Sequence, residues 1–489
     1  MPLDVSAALQ ALAADSVLST LAAAATRRGV VPLYLVGGYL RDHLLGRAPR
    51  GRDLDLVCPA DRRALMVESL VALGGTLVRL DATTDRVALR RGPDAWQVDV
   101  AALRGERIET DLLQRDFTVN ALALALTGEQ AGTLIDVTGG LADLEAGRIR
   151  VPSPAVLRED PLRCLRAVRL AALLGFRVEE ATAAAIRSAA GGLTVVAAER
   201  IRDEVFKLLD APRPQAHLAA LDDLAVMPII IPPLAALKGV SQGPPHRLDV
   251  WEHTLEVVGG IPWVLERLPS LVPEAGLETL ERMVARVEGD ISRKSLLVFS
   301  ALLHDVGKPA ARTEEAGRVR FLEHEVRGAA AAAGICEALR LGRQATALVT
   351  SVVAHHLRPI FLAAEPSVTP RARYRLLRDL GEVTEEVLLH SLADVRATAG
   401  EDATFQRQVT FVRETFAFRR DRVRPAQSAP LLRGEQVMAA LGIPPGPLVG
   451  LCLEVVAEWQ AAGEVGSPAE AVERLRAEWP TLKHARKPS

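Results

Sequence analysis

Within residues 33–56, LYLVGGYLRDHLLGRAPRGRDLDL, a short apolar run, a glycine pair and two alternating aspartates follow one another. Leu33 to Val36 has the length and branching of a buried strand, and Gly37-Gly38 breaks it where a Cβ would block close backbone approach. A helix through Tyr39 to Leu45 is expected next. A glycine turn that opens a helix leaves backbone N–H groups unpaired and aimed outward, a favourable place for a triphosphate. Asp53-Leu54-Asp55 then leads into Leu56-Val57. Residues two apart on a strand face one side, so both carboxylates project into one small volume. Two like charges there repel unless a cation sits between them, and hard oxygen ligands suit Mg²⁺ held jointly with substrate phosphates. The stretch fits a metal-dependent nucleotidyl-transfer centre.

At 489 residues the chain is too long for one core, and several domains are expected. The net charge of −2 gives no global sign of a nucleic-acid partner, so any RNA site must be a local patch. Only six of the 59 basic residues are lysine, which favours planar, bidentate contacts to phosphates and bases. Cys58, Cys164, Cys336 and Cys452 are far apart and form no CxxC pair, which argues for a reducing compartment and against a zinc ribbon. No signal-like N-terminus or uncharged window of about 18 apolar residues is found, so a cytoplasmic protein without membrane contact is expected.

Residues 1–28 read as one Ala- and Leu-rich helix. A compact α+β head follows, with a helix at Arg62 to Leu73 and the strands TLVRL, DRVALRR and AWQVDVAAL after the Gly74-Gly75 turn. Asp99 in the last of these is the candidate for a third acid, with Asp85 as its rival and a solvent-facing structural role as the alternative. Beyond Pro154 the strand signals stop and long helices are expected to the C-terminus. Pro-rich breaks at Met227 to Leu234 and Gly243 to Pro245 mark off a neck, 266–295 reads as an insertion, and a final helical module starts near Leu431 after a loop from Arg424 to Pro430.

Taken together, Gly37-Gly38 and Asp53-x-Asp55 in strand, turn, helix, strand order resemble the nucleotidyltransferase fold of the DNA polymerase β superfamily. More closely, they resemble bacterial tRNA nucleotidyltransferases and their poly(A) polymerase relatives. The resemblance implies Mg²⁺ on Asp53 and Asp55, and nucleotide contacts from Gly37, Gly38 and Arg41. Arg115-Asp116-Phe117-Thr118-Val119-Asn120-Ala121 resembles the family's RRDFTxNA motif, with Gln114 in place of the first arginine. It implies contacts from Arg115, Asp116 and Asn120 to the ribose and phosphates. Asp116 or Thr118 would equally cap a helix over Val119 to Leu126. Asp136-Val137-Thr138-Gly139-Gly140-Leu141-Ala142-Asp143 resembles a family turn and is read as structural.

Glu159, Asp160, Arg163 and Arg166 are spaced for one helix face, and the bland reading is a solvated ion pair worth a few tenths of a kcal/mol. They resemble the family's EDxxRxxR element, in which an Asp and an Arg read the base edge. An Asp accepts from an exocyclic amine and an Arg donates to a ring acceptor, so Asp160 and Arg163 would choose cytosine or adenine without a nucleic-acid template. Glu199-Arg200-Ile201 to Glu204 matches the family's ERIxxE element, assigned to bracing the neck.

Seven of the ten histidines fall between 246 and 390. His253, His304-Asp305 and Asp394 resemble the HD metal-dependent phosphohydrolase superfamily, and His324 with His355-His356 resembles its two-metal members. Imidazole and carboxylate suit Mn, Ni, Fe or Zn, in a catalytic or a structural centre.

The expected architecture is α+β: a polymerase-β-like nucleotidyltransferase head (1–150, with the N-terminal helix), an all-α neck (151–235), an HD domain (236–400) and a helical C-terminal module (401–489). The implied function is addition of C, or of C and A, to the tRNA 3′ end from CTP and ATP. The rivals are a poly(A) polymerase and an HD phosphohydrolase with an RNA-binding head. Family members that build the full CCA end usually carry a flexible loop between the third acid and the RRD motif. The stretch AALRGERIETDLLQ between Val100 and Arg115 is short by that measure, which implies addition of CC only.

Overall fold

The computed structural model describes residues 3–47, 52–79, 84–91, 94–244, 246–315 and 318–483. Residues 48–51, Leu80 and Pro245, which figure in the expectations above, lie outside them. The chain divides into two compact units, 1–204 with 220–230, and 205–219 with 231–489.

The N-terminal helix expected over 1–28 is two helices, α1 (Val5–Ala14) and α2 (Ser16–Arg27). Asp15 separates them because its carboxylate accepts from the Val17 and Leu18 N–H groups, so it caps α2 rather than continuing α1. Next come β1 (Tyr34–Val36), α3 (Gly37–Leu44), β2 (Asp53–Cys58), α4 (Arg63–Ala72), β3 (Thr76–Arg79), β4 (Thr84–Arg91) and β5 (Asp94–Ala102). After α5 (Ile108–Leu113), β6 (Ala123–Ala125) and β7 (Leu134–Ile135) complete a seven-stranded sheet in the order β3-β4-β5-β2-β1-β6-β7. Every pairing in it is antiparallel except β2 with β5. Leu35, Leu54, Leu56, Val98 and Val100 are fully or almost fully buried at its centre.

The helix expected over Val119 to Leu126 does not form. A single 3₁₀ turn at Thr118–Asn120 is followed by β6, which pairs with the edge of β1 that β2 leaves open. Ala121 to Ala125 are all buried, and an apolar run that short is as good a strand as a helix once a sheet edge offers it hydrogen bonds.

Past α6 (Gly140–Ala146), the strand β8 (Arg148–Ile149) pairs in parallel with β9 (Arg177–Val178), around α7 (Ala155–Glu159) and α8 (Arg163–Leu174). Then come α9 (Glu180–Ala189) and α10 (Ala198–Asp210). The expectation of purely helical structure beyond Pro154 is corrected here and again in the second unit, where Arg286–Glu288 pairs with Ile291–Ser292 and Arg312–Glu315 with Arg318–Phe321. These ladders are two to four residues long and rich in charged residues, too short for an alternation such as Arg318-Val319-Arg320-Phe321 to stand out.

The segment 266–295, expected as an insertion or a surface excursion, is no surface excursion: it contributes to the second unit's core. The helix Val250–Leu271 runs into it, and Leu268, Val272, Ala275, Met283 and Ile291 are all buried. Likewise Arg424–Ser428, expected as loop, is a short helix. The C-terminal helices Gly434–Leu441, Pro447–Ala462 and Pro468–Leu482 pack around Val437, Cys452, Trp459 and Leu475.

Candidate functional site

The parallel pairing sets Asp55 of β2 directly beside Asp99 of β5. Asp53, two residues earlier, faces the same side. Pairing of β4 with β5 puts Arg86 opposite Asp99, and its guanidinium meets both carboxylate oxygens at 2.7 and 2.8 Å. Asp85, one residue away, faces the other side of the sheet, where Arg63 lies 3.4 Å from it. Parity on β4 thus separates the two candidates for a third acid. Only Asp99 joins Asp53 and Asp55.

Gly37 explains itself at this point. Its φ is +76°, and a Cβ there would overlap Asp55 Oδ2. The helix therefore starts on the glycine pair itself, two residues before the expected Tyr39. The Gly38 amide favours the charged form of the Asp55 carboxylate. Burial pushes the Asp55 carboxyl up to about 6, with Asp99 and Asp53 adding to the shift and Arg115 opposing it. Three carboxylates on one face, one of them costly to ionise, form a donor set that gains from a hard divalent cation, so the residues fit Mg²⁺.

A chain of polar contacts runs from α3 to α8. The Arg41 guanidinium donates to Asp42 Oδ1 at 2.7 and 2.9 Å and to Asn120 Oδ1 at 2.8 Å. The Asn120 amide reaches Asp116 Oδ1 at 3.2 Å, and Arg166 closes on Asp116 Oδ2 at 2.9 Å. Arg115 turns instead to Asp111, at 2.8 Å. The family-like turn at 136–143 is built on one carboxylate, because Asp136 accepts from the backbone N–H groups of Thr138, Gly139, Gly140 and Leu141. Asp143 binds Arg148, Arg150 and Thr118.

Glu159, Asp160, Arg163 and Arg166 do not share one helix, contrary to their spacing. α7 ends at Glu159, Asp160 is extended with φ −137° and ψ 93°, and α8 starts at Arg163. Pro161 is the cause, since a residue before proline is pushed out of the helical region. Asp160 Oδ2 takes the Arg200 guanidinium at 2.9 Å. Arg163 is buried and donates to the Val156 carbonyl at 3.0 Å and to the Gln114 carbonyl at 3.5 Å. Its Nε has no acceptor among the described residues. Glu204 pairs with Arg169, which braces α10 against α8.

In the second unit two groups of side chains converge, each with ligand atoms within 4.8 Å of one another: His253, His304 and Asp394, and Asp305, His324 and His356. Asp305 lies between them, 3.1 Å from His304 Nε2 and 3.3 Å from His324 Nε2. The Nδ1 atoms of His304, His324 and His356 donate to the carbonyls of Ala301, Phe321 and Val353, each three residues earlier. In a neutral ring that leaves Nε2 as the lone-pair nitrogen. Among the described residues Nε2 of all three, and of His253, is buried without a well-formed hydrogen bond, although carboxylate oxygens of Asp305 and Asp394 lie 3.1 to 3.3 Å from the Nε2 atoms of His253, His304 and His324. Buried polar atoms are rarely left so, and oriented imidazoles with free Nε2 atoms are what a metal needs. Burial opposes ionisation of Asp305, yet His304 and Lys308 hold its carboxyl well below the usual carboxylate range. Burial pushes His356 down to about 3, so it is the neutral imidazole that faces the site.

His355 joins neither group among the described residues. It precedes His356 on a helix, and neighbours there point about 100° apart, so one of the pair must turn away. His390 and His246 are the residues that sequence reasoning missed. His390 is fully buried, with ring centroids 5.0 Å from His304 and 5.7 Å from His356, and His246 lies 5.2 Å from His253. For His390 a signal existed, because it precedes Asp394 by four residues on one helix. The centre opens into a cavity of about 810 Å³ lined by His246, Arg247, Lys308, Phe361 and Arg396 among others.

Three family models match the chain: the poly A polymerase head domain over residues 33–150, the probable RNA and SrmB-binding site of polymerase A over 175–238, and the HD domain over 250–399. An A-adding tRNA nucleotidyltransferase of Deinococcus radiodurans is 34% identical over 89% of this chain and 93% of its own length. A CC-adding tRNA nucleotidyltransferase of Thermus thermophilus is 35% identical over 89% of this chain and 91% of its own. The fold matches a Thermotoga maritima CCA-adding enzyme complexed with tRNA, with a TM-score of 0.66 and 22% identity, covering 98% of this chain and all of that one. The head with its paired aspartates, the RNA-binding segment and the histidine-lined HD domain thus occur together along one chain, and the chain belongs to the tRNA nucleotidyltransferase and poly(A) polymerase family.

Proposed function

We propose that this chain adds nucleotides to the 3′ end of tRNA in the cytoplasm without a nucleic-acid template. The observation that carries the reading is the convergence of Asp53, Asp55 and Asp99 beside the Gly37-Gly38 helix start. In the reaction the tRNA 3′-hydroxyl attacks the α-phosphorus of a nucleoside triphosphate, the new phosphodiester forms and pyrophosphate leaves. Mg²⁺ held by Asp53 and Asp55 would supply charge neutralisation for the attacking and leaving oxygens. The amides at the start of α3 favour the phosphates, and Arg41 and Asn120 hold the floor beneath them. Asp160 accepts the exocyclic amine of the base and Arg163 donates to its ring acceptor. The four free, buried cysteines suit a reducing compartment.

Base choice is tested by replacing Asp160 and Arg163 together with alanine. Discrimination against UTP and GTP should fall by about 10²-fold or more, because an unmatched buried donor or acceptor is what rejects a wrong base. Equal slowing with all four nucleotides would overturn this assignment.

For the number of additions, the short stretch between Val100 and Arg115 supports CC addition only. Asp111 accepts from the Arg104 N–H and from Arg115, Gln114 supplies its carbonyl to Arg104 and Arg163, and Ile108 and Leu112 are buried. A short segment anchored in this way is a poor lever for widening the pocket from cytosine to adenine. With CTP and ATP and a tRNA that lacks its terminal CCA, the product should stop after two cytidines. Completion to CCA would overturn this reading, and so would a single adenosine added only to tRNA already ending in CC. The second outcome would align the chain with its Deinococcus relative.

For the HD domain we propose a two-metal centre with His253, His304 and Asp394 on one ion, His324 and His356 on the other, and Asp305 between them. A transition metal such as Mn, Ni, Fe or Zn suits these donors.

A further inference from the structure

We propose that Arg200 is a positioning residue for nucleotide choice, fixing the rotation of the Asp160 carboxylate from which the base is read. The inference rests on the reading of Asp160 as the acceptor for the exocyclic amine.

Asp160 lies in the break between α7 and α8, where helix geometry does not fix its side chain. The turn itself is held from behind. Pro161 packs so closely on Gly192 that a Cβ on that glycine would come within 2.7 Å of the proline ring. Asp160 Oδ1 accepts from the Leu162 N–H at 3.3 Å, and Oδ2 accepts from Arg200 Nη2 at 2.9 Å. Both oxygens therefore have an assigned partner, and only Arg200 is a side chain. Arg163 makes no ion pair with Asp160 among the described residues: its Nη1 donates to the Val156 carbonyl, and its Nη2 contact with the Gln114 carbonyl, at 3.5 Å, is weak enough to be given up to a base.

A carboxylate oxygen has two lone pairs, and one guanidinium N–H occupies one of them. Asp160 Oδ2 thus keeps an acceptor site while its direction is set. The carboxylate side chain is 25% exposed and that of Arg200 53%, so the pair lies open to an incoming base rather than sealed in the neck. Uracil and guanine present a carbonyl where cytosine and adenine present an amine, and a fixed carboxylate oxygen repels it. One free to rotate turns away, and the penalty on the wrong base is lost.

Arg200 belongs to the element otherwise assigned to bracing, but the bracing falls to Glu204 with Arg169. The two roles separate within four residues of α10.

The test measures kcat/KM with CTP, ATP, UTP and GTP on a tRNA acceptor for wild type, R200A, R200K, D160A and the D160A/R200A double variant. Preference for the best nucleotide over UTP should fall about tenfold in R200A, with most of the loss in KM, and R200K should regain part of it. The double variant should be no less selective than D160A, since two residues acting through one carboxylate are not additive. If D160A keeps its discrimination, the reading of Asp160 itself fails. If D160A relaxes and R200A does not, or if R200A slows all four nucleotides equally with a lowered Tm, the role of Arg200 is overturned while that of Asp160 stands.

Discussion

Asp53→Ala and Asp55→Ala should each lower nucleotide addition by at least about 10³-fold with tRNA binding retained, since several kcal/mol of charge stabilisation depend on those oxygens. Asp55→Asn is the sharper variant. It keeps the shape and removes a carboxylate that burial makes costly to ionise, so without metal its Tm should equal or exceed that of wild type. Gly37→Ala should reach the same loss by another route, through a positive φ and a Cβ driven onto Asp55 Oδ2. Substantial Mg²⁺-dependent addition by Asp55→Asn would remove the head from the reaction.

His304→Ala combined with Asp305→Ala should abolish binding of transition metal, with affinity lowered by more than about 100-fold, while nucleotide addition continues. The geometry makes this variant severe, because Asp305 is within reach of His304 on one side and His324 on the other, so a single carboxylate serves both ligand groups. Elemental analysis of purified wild type and variant, beside an addition assay on each, reads both halves of the prediction. A wild-type protein purified without transition metal, and unable to take it up, would make the histidine cluster structural. Loss of addition in the variant would show that the two activities are not separable.

The sequence made the head legible because its chemistry repeats with the period of its secondary structure. Asp53 and Asp55 differ by two on a strand, and their convergence follows without any knowledge of the partner strands. Asp99 against Asp85 was undecidable at that level. It needed the register of β4 on β5, which is a long-range property. Asp160 leaves the helix that its spacing implies because Pro161 pushes the residue before it out of the helical region. ALALAL fits either period, and the open edge of β1 makes it β6. In the HD domain the motif histidines carry their own signal and His390 carries a weaker one, its i,i+4 spacing to Asp394, whereas His246 is found only by what surrounds it.

The lone parallel pairing in the sheet determines where this head tolerates a change of chain length. β2 and β5 run side by side in register from Asp53–Gln97 to Cys58–Ala102, and one residue inserted within β5 ahead of Asp99 would turn that carboxylate to the far face. The segment from Leu103 to Arg107 lies past the last of those pairs, where residues can be gained or lost without moving Asp53, Asp55 or Asp99. That connection is also tied through Arg104 to the Gln114 carbonyl, which Arg163 meets as well. Nucleotide repertoire can diversify there by insertion and deletion while the reacting carboxylates stay fixed.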